Sequence, residues 1–192
     1  LRDIRARVRL RNVVYGGCHG LEIGGAGVRF KHPRASAKLR ELSGASRVLA
    51  RRLERFPGAF LEHKGLTVSL HYRRVPPGRQ ASLLDFAAGV ARQAPGLTIV
   101  PGKNVLELLP RVRWRKGEAA LWIRSRLART LGSRPTLTVY AGDDITDETA
   151  FAALKGRGVT VRVGAHRGRA DYAVENVRAI QALLRWLARG LG

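Results

Sequence analysis

Four of the chain's 14 acidic residues fall within six positions, in Tyr140-Ala141-Gly142-Asp143-Asp144-Ile145-Thr146-Asp147-Glu148. Carboxylates this close raise one another's pKa unless a cation sits among them. A hard cation prefers carboxylate oxygens, so the run reads as a Mg²⁺ site with Asp143 and Asp144 as metal ligands. Thr146, Asp147 and Glu148 also suit the start of a helix, which welcomes hydroxyls and negative charge. Capping accounts for those three residues and leaves Asp143 and Asp144 to the metal.

A second polar group lies earlier in the chain. Side chains alternate along a strand, so Glu62 and Lys64 share one side of an extended segment, as do His71 and Arg73. The same rule puts Glu107 on the side of Lys103. Cross-strand ion pairing on a solvated sheet is one reading of this face. The other is a surface that hydrogen-bonds a polyhydroxylated ligand. Lys116-Gly117 precedes a helical stretch, where a lone lysine is either solvated or able to stabilise a phosphoryl group. His19 sits in a Gly-rich turn and says little by itself.

The elements that must hold these residues follow from periodicity. Leu1, Ile4 and Val8 are spaced as one helical face, with arginines between them facing solvent. Val13-Val14-Tyr15 reads as a strand ending at Gly16-Gly17, and residues 24–36, rich in Gly and Pro, read as a boundary. Leu39 to Phe56 is helical, closed by Pro57-Gly58. A hairpin runs from 60–64 through Gly65 to 68–73, a helix covers 81–94, and strands 97–100 and 105–109 pair around Pro101-Gly102. From Gly117 the pattern alternates: a helix to Leu131, a buried strand over Pro135–Ala141, a helix around Phe151–Leu154, a strand at 159–163 and a terminal helix. Alternation of this kind implies an α/β fold, a parallel sheet with helices on both faces. Acids at the carboxyl end of a buried strand stand where such sheets place their ligands. The middle block is α+β and looks inserted.

The 192 residues carry 45% hydrophobic side chains, enough to bury a core. One cysteine, Cys18, excludes an internal disulfide framework and suits a reducing cytoplasm. No apolar run is long enough for a membrane span and no signal peptide is visible. The formal charge of +22 raises the question of nucleic acid. Of the 36 basic residues six are Lys and 30 are Arg, spread along the whole chain beside many Ala, Gly and Leu. That is the signature of a GC-rich coding bias, so no specific nucleic acid is expected. The positive field favours an anionic substrate either way.

The motifs taken together resemble the trehalose-6-phosphate phosphatases of the haloacid dehalogenase superfamily. Gly142-Asp143-Asp144-x-Thr146-Asp147-Glu148-x-x-Phe151 is similar to that family's fourth motif. The match continues through Gly17-x-His19-Gly20-Leu21-Glu22-Ile23, Glu62-x-Lys64-Gly65, His71-Tyr72-Arg73, Gly102-Lys103-x-Val105-Leu106-Glu107 and Lys116-Gly117, in the family's order. The resemblance implies a Rossmann-like core from residues 1–35 and 110–192, and an inserted α+β cap at 36–109. It implies Mg²⁺ bound by Asp143, with Asp144 and Asp147 as further ligands or supporting partners. Lys116 would contact the phosphoryl group, with Asp147 beside it in the catalytic set. Glu62, Lys64, Arg73, Lys103, Glu107 and His19 would bind the sugar. The implied partner is a small-molecule sugar phosphate, and a monomer is expected.

The implied chemistry is two-step phosphoryl transfer through an aspartyl-phosphate. The family's first motif, Asp-x-Asp-Gly-Thr, holds the nucleophile, and no such string occurs among the 192 residues. With no Met and Leu1 at its start, the chain is expected to begin after the first βαβ portion, keeping a metal half-site and a sugar-reading cap without turnover. Leu109 also stands where many relatives carry Arg. Two alternatives stay open: another sugar phosphate on the same fold, and a non-catalytic basic remnant that binds nucleic acid.

Overall fold

A computed structural model describes residues 1–132, 136–165 and 168–190, and of Arg2 the backbone alone. The chain forms two compact units, Leu1–Arg113 and Trp114–Gly192.

The first unit begins with helix α1 (Arg2–Val8), the antiparallel strands β1 (Tyr15–Gly17), β2 (Glu22–Gly25) and β3 (Val28–Lys31), and the short helix α2 (Pro33–Ser36). The expected helix at the start is present, but Ile4 and Val8 are 40% and 45% exposed, so its apolar spacing does not produce a buried stripe. Residues 24–36, expected as a boundary, hold most of a β-hairpin instead. Gly25 takes φ 125° at the β2–β3 turn, and a Cβ there would strike the Val13 carbonyl, so the glycine that suggested a linker is what permits the tight turn.

Helix α3 (Leu39–Arg52), strands β4 (Phe60–His63) and β5 (Val68–His71), helix α4 (Pro77–Arg92) and strands β6 (Leu97–Gly102) and β7 (Val105–Pro110) complete the unit. The strands form one antiparallel sheet in the order β4-β5-β7-β6. Val68, Leu70, Leu106 and Leu108 point from one face into a core with Leu42, Leu49, Leu83 and Leu97. Helix α4 starts four residues before its apolar periodicity does, because Pro77 occupies the first helical turn, where a missing N–H costs nothing.

The second unit runs α5 (Lys116–Leu131), β8 (Val139–Gly142), α6 (Glu148–Leu154), β9 (Val159–Val163), β10 (Tyr172–Val174) and α7 (Val177–Gly190). Its sheet is parallel, in the order β10-β9-β8, and β8–α6–β9 is a βαβ crossover. The molecule is therefore α/β, with a parallel sheet in one unit and antiparallel sheets in the other. The strand expected over 135–141 spans Val139–Gly142, and Pro135 lies outside the described residues. Strand β10 is too short, and too exposed at Tyr172 and Ala173, to show alternation in the sequence. Among the described residues no helix is long and apolar enough to cross a membrane.

Candidate active site

In the second unit the chemistry gathers at the carboxyl end of β8. The chain leaves Gly142, passes Asp143 and Asp144 and turns through 145–147 into α6, whose Ala150, Phe151 and Leu154 are buried. Asp144 itself is the cap: its Oδ1 accepts the Thr146 N–H at 3.4 Å, and its own N–H donates to Asp147 Oδ2 at 3.0 Å. Asp144 thus caps the turn, Asp147 closes the capping box as an acid of the expected capping group, and the Asp147 carboxylate turns inward. It is 4% exposed. Its Oδ1 accepts Lys116 Nζ at 2.8 Å and the Tyr140 hydroxyl at 2.7 Å.

Three donors on one carboxylate decide its charge. Burial pushes the Asp147 pKa up, but the bonds from Lys116, Tyr140 and the Asp144 N–H outweigh it, and the net shift is downward. The Tyr140 phenol moves the other way, pushed far up by burial and by the anion it serves. Tyr140 is steadied by an edge-to-face contact with Phe151 at 5.8 Å. Lys116 stands in the first turn of α5, where a cation opposes the helix dipole, so the Asp147 anion offsets an intrinsic cost. Gly117 lets α5 approach α6 closely, since a Cβ there would meet the Thr149 backbone.

Asp143 and Asp144 are both exposed. Among the described residues Asp143 accepts no hydrogen bond and makes no ion pair, and no group of three or more His, Cys, Asp or Glu gathers to hold a metal. The donor set still fits Mg²⁺, which takes one or two carboxylates and fills its remaining positions with water and phosphate oxygens. Asp147 is already engaged by its three donors and supports Lys116.

In the first unit the polar residues lie on the sheet face opposite the core. Register pairs Glu62 with Ser69 and Ser69 with Glu107, so these three form a row across β4, β5 and β7, with Thr67 and His71 on the same face. His71 Nε2 meets Glu62 Oε2 at 2.8 Å. Lys64 Nζ bridges Glu62 Oε2 at 3.6 Å and Glu107 Oε1 at 3.8 Å. His19 Nε2 meets Glu107 Oε2 at 2.5 Å, presented by a turn in which Cys18 and His19 both adopt left-handed φ of 50° and 57°. Cys18 Sγ donates to the Lys64 carbonyl at 2.9 Å, tying that turn to the β4–β5 hairpin. Burial pushes the Glu107 pKa up, while His19, Lys64 and Thr67 together bring it below its ordinary value.

Glu62, Lys64, Glu107 and His19 are thus brought together as the sequence suggested. Arg73 and Lys103 are not: both are exposed in turns, and among the described residues neither makes a side-chain hydrogen bond or ion pair. A cavity of about 1020 Å³ within this unit is lined by Cys18, Glu22, Lys31, Glu62 and Lys64, among others. Thr67, Ser69 and Tyr140 escaped the sequence reading. The polar alternation Thr67-x-Ser69-x-His71 was a usable signal for the first two.

A parallel α/β sheet with acids and a lysine-bound carboxylate beyond a strand end has its polar residues where such sheets place their ligands. Comparison narrows the class. The trehalose-phosphatase family model matches residues 1–177, and the chain belongs to that family. The trehalose-phosphate phosphatase of Mycobacterium tuberculosis H37Rv is 37% identical over 164 residues, which is 85% of this chain and 41% of that protein. The chain therefore spans about two fifths of the length of that relative. The crystal structure of a trehalose-6-phosphate phosphatase related protein superposes with TM-score 0.76 at 22% identity, covering 99% of this chain and 78% of that one. The C-terminal domain of the Candida albicans trehalose-6-phosphate phosphatase gives TM-score 0.72 at 20% identity, covering 97% and 74%. These two likenesses support the fold.

Proposed function

We propose that the chain serves the hydrolysis of trehalose 6-phosphate to trehalose and phosphate, with residues 1–113 reading sugar hydroxyls and residues 114–192 neutralising the phosphoryl group. The observation that carries this reading is the Lys116–Asp147–Tyr140 cluster at the end of β8, beside two exposed carboxylates, in a chain of this family.

The Lys116 ammonium neutralises phosphoryl oxygens, and Asp147 with Tyr140 fixes where that ammonium stands. Asp143 and Asp144 hold Mg²⁺, which supplies further charge neutralisation when bound. In this reading Glu62, Lys64, Glu107 and His19 bind the sugar, with Arg73 and Lys103 completing the set from exposed turns. On the sheet face itself two carboxylates share one ammonium, so that face offers acceptors to neutral hydroxyls. The attacking carboxylate is assigned to none of these residues. Residues 36–109 act as the cap and 1–35 with 110–192 as the core; the apolar cluster running from Leu42 to Leu108 supports a self-contained cap.

The test is calorimetric binding of trehalose 6-phosphate to the chain at pH 7 with Mg²⁺. Glu107→Gln should weaken sugar-phosphate binding about tenfold and leave inorganic phosphate unaffected. Asp143→Ala should remove the Mg²⁺-dependent part of phosphate binding. No binding of trehalose 6-phosphate at millimolar concentration refutes the proposal.

A further inference from the structure

Glu107 sits at the centre of an arrangement that hydroxyl reading alone does not require. Thr67 and Ser69 are both 0% exposed, on the sheet face turned away from the apolar core. Their hydroxyls converge on a single atom, Glu107 Oε1, at 3.1 Å and 3.4 Å. The other oxygen, Oε2, takes only His19 among the described residues. A carboxylate oxygen offers about two lone-pair directions, so the two hydroxyls occupy Oε1 and fix the plane of the group. Oε2, with His19 on it, retains a lone-pair direction, and the Glu107 side chain as a whole is 17% exposed. The hydroxyls offset part of the cost of burying this carboxylate, and by converging on one oxygen they also fix which oxygen stays open to a further donor.

We propose that Thr67 and Ser69 are positioning residues that hold Glu107 so that its Oε2 faces a sugar hydroxyl, and that they thereby set the preference of this face for a polyol. The proposal rests on the sugar-reading role given to Glu107 above. In the resting arrangement His19 occupies Oε2, and a sugar hydroxyl joins it there at the remaining lone pair. Thr67 also contributes to keeping Glu107 ionised, through the hydrogen bond that favours the charged form.

The test uses the full chain with Thr67→Val, Thr67→Ser and Ser69→Ala. Carbon-detected NMR of the Glu107 carboxyl follows its titration, and calorimetry follows trehalose 6-phosphate and inorganic phosphate separately. Thr67→Val should raise the Glu107 titration midpoint and weaken trehalose 6-phosphate binding about tenfold, with phosphate binding unchanged. Thr67→Ser keeps the hydroxyl and should restore both, which a purely steric role of the threonine would not predict. Ser69→Ala should act in the same direction with a smaller effect, its bond being longer. An unmoved Glu107 titration in Thr67→Val overturns the inference, and so does a moved titration with unchanged sugar-phosphate affinity. A parent chain that binds no trehalose 6-phosphate, while Thr67→Val still moves the titration, overturns the proposed substrate and leaves the positioning of Glu107 supported.

Discussion

Replacing Asp147 by Asn keeps the shape of the side chain and removes its charge. The side chain is 5% exposed and that of Lys116 is 30% exposed. Asn presents one acceptor oxygen where the carboxylate presents two, so one of two orientations must be chosen. Either the amide nitrogen faces the Asp144 N–H, or it faces Lys116 and the Tyr140 hydroxyl. Each orientation sets donor against donor and forfeits at least one bond to a charged group, about 1.5–3 kcal/mol. Breaking a fully buried pair costs about 3–5 kcal/mol, and the partial exposure of Lys116 lets water take up part of that. About 3 kcal/mol is the expected loss, which in a chain of this size lowers Tm by about 6–12 °C. Circular dichroism melts at pH 7 measure it. The pH dependence follows from the depressed Asp147 pKa: the stabilisation is present above the ordinary value of 3.8 and lost as pH falls through the folded value. The gap between parent and variant must therefore close in acid below that value, where the parent's carboxyl is itself protonated. A double-mutant cycle with Lys116→Met should return a coupling of about 1–3 kcal/mol. A Tm change under about 2 °C at pH 7, or a gap that persists undiminished into strong acid, refutes the account of Asp147 as the charged anchor of Lys116.

Two further substitutions probe the frame around these residues. Gly142→Ala places a Cβ against the Asp147 carboxyl and should cost about 1–3 kcal/mol in urea unfolding, as overpacking does. Leu83→Ala, at a position 0% exposed in the core of the first unit, should cost about 2–5 kcal/mol and leave the Asp147 titration in the second unit unchanged when followed by NMR.

Most of the elements could be read from the sequence because their signals are local. The hairpin at Glu62 and the β6–β7 pair announce themselves by alternation around glycine turns, and α3 by its apolar spacing. The β2–β3 hairpin was missed for the opposite reason: its glycines look like linker composition until a positive φ shows that a turn needs them. The capping bond from Thr146 to Asp144 was not legible, because it depends on where the helix begins, and boundaries are what periodicity defines least well. Lys116 and Asp147 lie 31 residues apart, and nothing in spacing alone pairs them. Their pairing depends on α5 packing against α6, a tertiary fact for which the only local hint is Gly117. Thr67 and Ser69 were within reach, since polar residues alternating with valine and leucine mark a sheet face that is polar and yet covered.

The surplus of arginine bears on how these residues should be weighed. In a chain with 36 basic and 14 acidic residues, an unpaired cation at any surface position is expected and argues for nothing. The acids are informative because they are scarce. Charge balance alone would leave each one on the surface beside an arginine. Glu107 is instead partly buried and served by two buried hydroxyls, a histidine and a lysine, and Asp147 is buried and served by a lysine, a phenol and a backbone amide. Among the described residues neither has an arginine partner. Both carboxylates have their pKa lowered by these donors, so each stays an acceptor at neutral pH with its geometry fixed. A polyanion drawn by the overall charge would meet Glu62 and Glu107 on the most elaborated polar face of the first unit, where two carboxylates share one ammonium. The local charge there opposes the global one. The polyol phosphate proposed above satisfies both, because the long-range field would attract its charged end while the acidic face would accept its hydroxyls.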